Sequence, residues 1–154
     1  MRYPYSMILC RFFLIMLSVS VIACGMDNSV PQTSSALSEK LLEISKKGPQ
    51  GAQQRLEEVT DFNWDTVYYF EKGVLKTEVN ETSDATVFKR DSGRYYGHGV
   101  LLVFKYAREM VGVYAIVPPL FITGTSQKGY SIKDATVVAH SKDPGPYSLR
   151  LVDQ

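Results

Sequence analysis

The segment covering residues 98–117 constrains the fold more than any other part of this chain. Residues 100–104 read Val-Leu-Leu-Val-Phe, so apolar side chains occupy both alternating sets of positions. Because successive side chains of a strand point to opposite faces of its sheet, this pattern predicts a strand that is covered on both faces. A second strand over residues 110–117 follows the turn-like sequence Tyr106-Ala107-Arg108-Glu109, and Pro118-Pro119 ends it because proline cannot donate to a ladder. The segment is therefore predicted to form a hairpin.

The chain before this hairpin has helical patterning. A first helix is predicted to begin near Ala36, with Ser35 or Ser38 as its cap, and to end at Lys46-Lys47-Gly48-Pro49. Its apolar face consists of Leu37, Leu41, Leu42 and Ile44. A second, mostly polar helix is predicted over residues 50–59.

Short strands are predicted on both sides of the hairpin. Residues 66–70 are β-branched and aromatic, residues 133–139 and 147–152 have strand composition, and residues 86–89 form a shorter candidate. Helices followed by an antiparallel meander indicate an α+β fold. We expect an N-terminal helix or two, packed on a mostly antiparallel sheet of about five strands.

Residues 12–24, Phe-Phe-Leu-Ile-Met-Leu-Ser-Val-Ser-Val-Ile-Ala-Cys, have the layout of a secretory signal. The apolar run lies behind Arg2 and Arg11 and ends in small residues. Val21-Ile22-Ala23-Cys24 resembles the lipobox of bacterial lipoproteins, in which the cysteine is diacylglycerylated and becomes the mature N-terminus after cleavage. The alternatives are a transmembrane helix, for which the run is short and interrupted by Arg11, and a signal that is cut without lipidation.

The lipoprotein resemblance implies three parts of the chain. These are a signal peptide over residues 1–23, the lipidated Cys24 with a flexible tether over residues 24–35, and a single α+β domain over residues 36–154. In lipoproteins an Asp after the cysteine retains the protein in the inner membrane. Gly25 stands at that position, so the resemblance implies an outer-membrane anchor with the domain in the periplasm. The implied partners are the membrane, through the lipid on Cys24, and a possible protein of the envelope.

Composition indicates neither a nucleic-acid partner nor thiol chemistry. The chain has 17 Lys and Arg against 16 Asp and Glu, so no basic excess indicates a nucleic-acid partner. Its two cysteines are Cys10, inside the predicted signal, and Cys24, which the resemblance commits to lipid. The exported domain is therefore expected to have neither a disulfide nor a thiol nucleophile.

A second resemblance involves Asp61-Phe62-Asn63-Trp64-Asp65 and the strand that follows it. The run resembles a segment of small, uncharacterised bacterial exported proteins and lipoproteins, which carry a Phe-x-Trp-Asp core before an aliphatic-aromatic strand. Leu102-Val103-Phe104 and Asp134-Ala135-Thr136-Val137-Val138 match two later motifs of that family, whereas Glu71-Lys72-Gly73 replaces its Gly-Pro-Tyr turn. The resemblance implies the fold and the class of protein, but no activity and no cofactor.

Trp64 and Asp65 allow a functional and a structural interpretation. A tryptophan beside a carboxylate can belong to a binding site. We predict instead that Trp64 fills the core while Asp65 accepts hydrogen bonds from backbone amides at the entrance to the strand.

The remaining polar motifs do not indicate an enzyme. His98 and His140 have no ligand spacing with another histidine or a cysteine, so no metal site is predicted, although a hydrolytic triad built on either one stays open. No Gly-x-Ser-x-Gly elbow exists. Residues 124–129 lack the Gly-Lys-Ser/Thr order of a phosphate loop and are predicted to form an ordinary loop. The sequence therefore predicts a non-enzymatic binding or envelope-maintenance lipoprotein without a cofactor.

The run Ser92-Gly93-Arg94-Tyr95-Tyr96 gives an alternative function. It resembles the Ser-Gly-x-x-Tyr signature of the exported inhibitors of C-type lysozyme, whose loop meets the two catalytic carboxylates of the enzyme. The resemblance implies contact roles for Ser92 and Tyr96, with Arg94 as a further carboxylate partner. The structural interpretation of the same run is a polar glycine turn between strands, without a binding role. Tyr and Arg are enriched at interface hot spots, which makes Arg94, Tyr95, Tyr96 and Tyr130 candidate binding residues. The resemblance adds Ser92 to them.

Overall fold

A computed structural model describes residues 35–47, 53–97, 99–139 and 148–154. Within them the chain has an α+β fold with two α-helices and eight strands, which confirms the predicted class. The helices are α1 (Ser35–Lys46) and α2 (Lys76–Ser83). The strands are β1 (Gln53–Arg55), β2 (Thr66–Phe70), β3 (Val100–Tyr106), β4 (Glu109–Ile116), β5 (Phe121–Thr123), β6 (Lys128–Ser131), β7 (Ala135–Ala139) and β8 (Ser148–Asp153).

The strands form two mostly antiparallel sheets of four strands, where a single sheet of about five was expected. The first sheet has the order β4-β3-β2-β6, and the second has the order β1-β7-β8-β5. β5 pairs with β8 in parallel, whereas the other pairs are antiparallel. The unpredicted strands β1, β5 and β6 have three or four residues each. Strands this short give too few alternations to be recognised from sequence.

The predicted hairpin is confirmed as β3 and β4. Val100 pairs with Ile116 and Tyr106 pairs with Glu109, so the turn is reduced to Ala107 and Arg108. Ala107 adopts a φ of 56°, as a tight two-residue turn requires. β2 pairs with the other edge of β3, which makes β3 an interior strand of the first sheet.

β3 is buried on both faces, as its sequence predicts. Leu102 and Phe104 belong to the main core, which lies between the two sheets. Leu101 and Val103 belong to a second core on the opposite face of the first sheet. The alternation of a strand therefore supplies both cores from one short segment.

The main core is formed by the two sheets and α1. The predicted first helix is confirmed as α1, and its apolar face buries Leu37, Leu41 and Ile44 against the second sheet. At the other side of this core the Phe104 ring lies 5.2 Å from the Phe62 and Trp64 rings, in edge-to-face geometry. Edge-to-face pairs of this kind stabilise a core beyond their buried area.

α2 and residues 84–97 cover the second core. α2 is mostly polar, with the sequence Lys-Thr-Glu-Val-Asn-Glu-Thr-Ser, and it was not expected. The Glu78 carboxylate accepts a hydrogen bond from the Leu75 amide at its start. At its end the Lys105 ammonium, only 6% exposed, donates to the Ser83 and Asp84 carbonyls. A cation on β3 thereby satisfies the negative end of a helix whose own last turn has none.

Two predicted elements are wrong. The described part of residues 50–59 forms β1 and a short 3-10 helix, Leu56–Glu58, because its polar residues pair with β7 as the edge strand of the second sheet. Residues 86–89 form no strand, since the Val87 and Phe88 amides donate to Asn80 Oδ1, each at 2.9 Å. One side chain replaces the ladder that a strand would need.

Candidate functional site

A pocket of about 360 Å³ opens where the hairpin of the first sheet meets β5 of the second. Six of its eight lining residues are apolar, and this volume lies within the range of small-molecule sites. Its lining consists of Lys72, Gly99, Val100, Ile116, Pro118, Leu120, Phe121 and Ile122.

The pocket exists because the chain leaves one sheet and enters the other at this point. β4 ends at Ile116, and the prolines at 118 and 119 cannot extend its ladder, so the chain crosses to β5. Gly99 lies against the end of β4, where an added Cβ would lie 1.7 Å from the Ile116 carbonyl oxygen. Only glycine permits this close approach of the two backbones.

The pocket has a buried floor and an exposed mouth. Ile116, Leu120 and Ile122 are buried and form the floor. Phe121 alternates with Ile122 along β5, so its ring faces outward and is 48% exposed. Lys72 is exposed beside the same opening. A ligand can therefore enter past Phe121 and Lys72 and contact aliphatic side chains inside.

A buried tyrosine holds β5 in place behind the pocket. Tyr69 of β2 donates its hydroxyl hydrogen to the Ile122 carbonyl at 3.2 Å. Burial, with smaller contributions from Glu71 and Tyr130, raises the pKa of Tyr69 to about 12. The hydroxyl therefore keeps its proton at neutral pH and serves as a permanent donor. This bond joins the two sheets directly behind the pocket floor.

A second hollow, of about 520 Å³, is polar. Glu57, Glu58 and Asp61 contribute three carboxylates to its lining, and the Arg55 guanidinium pairs with both glutamates. Within the ranges that the structure describes, no group of three or more Asp, Glu, His or Cys residues is arranged to hold a metal ion.

Trp64 and Asp65 have the structural roles that the sequence predicts. Trp64 is buried, and its indole nitrogen donates to the Thr60 hydroxyl at 2.8 Å. The Asp65 carboxylate accepts a hydrogen bond from the Ala107 amide, in the turn of the hairpin. The Phe-x-Trp-Asp motif thus joins the entrance of β2 to the adjacent hairpin turn.

The loop at residues 92–96 brings three of the predicted binding residues together at the surface. Ser92, Arg94 and Tyr96 are exposed, Tyr96 by 71%. Gly93 adopts a φ of 87°, which a glycine turn favours. The Arg94 guanidinium donates to the Gly73 carbonyl at 2.7 Å, so this side chain also holds the loop against the turn after β2.

The other two predicted contact residues are buried. Tyr95 is 6% exposed and packs in the second core, with its ring 5.8 Å from the Phe88 ring. Tyr130 is 2% exposed and belongs to the main core, where its hydroxyl accepts a hydrogen bond from the Thr125 amide. Neither ring is available to a partner in this conformation. The enrichment of tyrosine at interfaces does not separate surface rings from core rings, which is why the prediction included them.

Some predicted features fall outside the described residues. These are the lipidated Cys24, most of the tether, and both histidines, His98 and His140. Ser35, the last residue assigned to the tether, is the first residue of α1. Part of the loop predicted over residues 124–129 is strand, because β6 begins at Lys128. Neither helix in the described ranges is long and apolar enough to cross a membrane.

Comparison of the chain with protein-family models, with curated proteins and with solved structures finds no match in any of the three. None of the lining residues of the apolar pocket was predicted to bind anything. The sequence gives a weak indication of this pocket at Pro118-Pro119-Leu120-Phe121-Ile122, where the prolines end a strand and apolar residues continue after it.

Proposed function

We propose that this protein is a lipid-anchored protein of the bacterial envelope whose domain binds a small molecule with an apolar body and catalyses no reaction on it. The observation that carries the proposal is the apolar pocket between the hairpin and β5. Its floor belongs to the main core and its mouth is open, so binding would remove from water the apolar surface of the ligand itself and of the exposed Phe121 ring. Such burial stabilises a complex by about 25 cal/mol per Å² of apolar surface.

The chemistry of the lining supports binding rather than catalysis. Lys72 is the one lining residue with an ionisable side chain, and it lies at the mouth rather than on the floor. General acid–base or nucleophilic catalysis needs a second polar group within hydrogen-bond reach of the first. The lining offers aliphatic and aromatic contacts instead.

The anchor is a separate part of the proposal. Lipidation of Cys24 would attach the chain to the membrane by two or more acyl chains, which hold a protein stably. Gly25 favours the outer membrane, with the domain in the periplasm. Metabolic labelling with an alkyne fatty acid is expected to label the full chain and its Cys10→Ala variant, but not Cys24→Ala. Equal labelling of all three proteins, or of none, would contradict a lipid on Cys24.

Binding of an apolar ligand in the pocket can be tested by photocrosslinking, with the full chain in phospholipid nanodiscs. A neutral dodecanol carrying a diazirine and an alkyne is expected to crosslink to the protein at residues 116–122, located by peptide mass spectrometry. Phe121→Ser should reduce this labelling by more than half, because it removes the apolar wall at the mouth. The control is Val111→Ser, which replaces an exposed apolar residue of β4 outside the pocket and should leave the labelling unchanged. Labelling that is absent from residues 116–122, or equal in both variants, would overturn the proposed function.

The exposed loop at residues 92–96 supports a second candidate, inhibition of C-type lysozyme. Ser92 and Tyr96 lie at the surface of one turn, and the Arg94–Gly73 hydrogen bond holds that turn in place. Micromolar full chain in nanodiscs should then slow lysis by lysozyme. The double variant Ser92→Ala, Tyr96→Ala should abolish the effect, and Tyr106→Ala, another exposed tyrosine, should retain it. An unchanged lysis rate with the wild-type chain would eliminate this candidate. The same exposed loop is also the surface that a protein partner of the envelope would contact.

A further inference from the structure

The turn that follows β2 places a lysine at the mouth of the apolar pocket. The Val74 amide donates to the Glu71 carbonyl, which closes a four-residue turn. Lys72 and Gly73 occupy its two central positions, and Gly73 has a φ of 91°. A positive φ at the third residue is the geometry of a type II turn and favours glycine there. The sequence Glu71-Lys72-Gly73 therefore fixes Lys72 at the tip of a defined turn.

Contacts from the neighbouring loop hold this turn on its other side. The Gly73 amide donates to the Tyr95 carbonyl at 2.7 Å, and the Gly73 carbonyl accepts the bond from Arg94. The backbone beside Lys72 is therefore fixed at both its donor and its acceptor. The backbone that carries the Lys72 side chain is therefore held in place, and its ammonium can reach a group at the pocket mouth.

The charge of Lys72 has no counter-ion in the described part of the chain. No hydrogen bond or ion pair there involves its ammonium, whereas Lys128 pairs with Asp153 and Lys105 with the end of α2. The remaining lining residues carry no charge. The pocket thus combines an aliphatic floor with one positive charge at its opening.

We propose that the ligand is a single-chain amphiphile with an anionic head, such as a fatty acid. This inference rests on the proposed function and specifies its ligand. The chain lies over Ile116, Leu120 and Ile122, and the head lies at the opening, where the Lys72 ammonium pairs with it. A neutral chain fills the same pocket without this pair, and a cationic head is repelled.

The effect of chain length follows from the apolar floor. Each methylene transferred from water to an apolar environment is worth about fourfold in affinity. The affinity of the pocket for an amphiphile dissolved in water should therefore rise by about this factor with each added methylene until the pocket is full, and then level off. The effect of the head is smaller, because an exposed ion pair is worth at most about fivefold.

The test is competition against the neutral photoactivatable dodecanol, with the full chain in nanodiscs. Laurate, dodecanol and dodecylamine are compared as competitors, and each is expressed as the ratio of its half-inhibitory concentration between variant and wild type. These ratios cancel the partitioning of each competitor into the bilayer. Lys72→Gln is the variant, and Lys133→Gln, at an exposed lysine outside the pocket, is the matched control.

The expected result for Lys72→Gln is a ratio of about three to five for laurate, near one for dodecanol, and below one for dodecylamine. Lys133→Gln should give ratios near one for all three. Equal ratios for laurate and dodecanol in Lys72→Gln would overturn the anionic head while leaving the proposed pocket intact. Failure of the dodecanol probe to label residues 116–122 would overturn both, so the two failures are distinguishable.

Discussion

The two faces of the first sheet are covered by different kinds of structure. One face packs against the second sheet and α1, and aromatic and aliphatic side chains fill the space between them. The other face lies under α2 and residues 84–97, an irregular segment with few regular backbone pairs. Its cover is held by single polar side chains, namely Asn80, Lys105 and Glu78, that bond to backbone groups. The comparison shows that the main core is organised chiefly by apolar burial between two regular sheets, with a few polar bonds such as that of Tyr69, whereas the cover of the second core depends on single polar anchors.

The largest expected effect is the loss of an aromatic ring from the main core. Phe104→Ala should lower the free energy of unfolding by about 3–5 kcal/mol, because the Phe62, Trp64 and Tyr114 rings surround the cavity it leaves. The measurement is urea unfolding of the full chain, followed by the fluorescence of its single tryptophan. Phe121→Ala is the control, since its exposed ring should contribute less than about 1 kcal/mol. Similar losses in both variants would show that the main core is not packed as described.

Asn80 tests whether polar anchors hold the cover of the second core. Its Oδ1 accepts hydrogen bonds from the Val87 and Phe88 amides, and its Nδ2 donates to the Phe88 carbonyl. Asn80→Ala should lower the free energy of unfolding by about 2–3 kcal/mol, because three backbone groups lose their partner. Asn63→Ala, at an exposed position, should cost almost nothing. In the unaltered chain, residues 84–97 should exchange faster than β7 and β8, because this segment can open without unfolding the main core, whereas equal protection of the two regions would contradict two separate cores.

The Tyr69 hydroxyl, which bonds the first sheet to the second, should make the unfolding free energy depend on pH. Its pKa is about 12 in the folded chain, against 10.0 for an ordinary tyrosine, so the unfolded chain loses this proton first. The stabilisation is complete below pH 10 and is lost as the pH rises through 12, with a total of about 3 kcal/mol. Tyr69→Phe should flatten the decline in unfolding free energy between pH 10 and 12, and Tyr106→Phe, at an exposed tyrosine, should not. An unchanged decline in Tyr69→Phe would mean that other groups cause it.

The smallest expected effect concerns the turn at Gly93. A Cβ at this position would meet no atom within 4 Å, so Gly93→Ala probes only the backbone φ of 87°. The substitution should cost about 1 kcal/mol, because the left-handed region disfavours alanine. Ser92→Ala, next to it and exposed, should cost less than about 0.5 kcal/mol. Equal stability of the two variants would indicate that residues 92–96 do not keep this turn.

The same comparison explains how far the fold can be predicted from sequence. The main-core elements were predictable because periodicity marks them, as in α1, β2 and the hairpin. The cover of the second core was not, since Asn80 bonds to backbone amides of an irregular segment seven and eight residues later and Lys105 bonds to carbonyls more than twenty residues earlier, and no periodicity marks either contact. α2 has a weak apolar pattern and depends on a lysine from β3 for its end. Its helical state is therefore set by tertiary contacts rather than by local preference.

The candidate site was less predictable than the fold. Ser92, Arg94 and Tyr96 were correctly expected at a surface turn, but the apolar pocket was not foreseen. Its lining comes from the turn after β2, the start of β3 and residues 116–122, which meet where the chain crosses from β4 to β5. No spacing rule links Lys72 to Phe121 along the chain. Only the tertiary arrangement brings the lysine and the aliphatic floor together.

The most direct test of the account is hydrogen exchange of the full chain in nanodiscs, with and without saturating laurate. Binding in the pocket predicts slower exchange of the amides at residues 120–122 and 72–73, with no change in α1 or β7. It also predicts that Phe121→Ser weakens this protection. Unchanged exchange at residues 120–122, or protection confined to residues 92–96, would contradict a ligand site between the hairpin and β5.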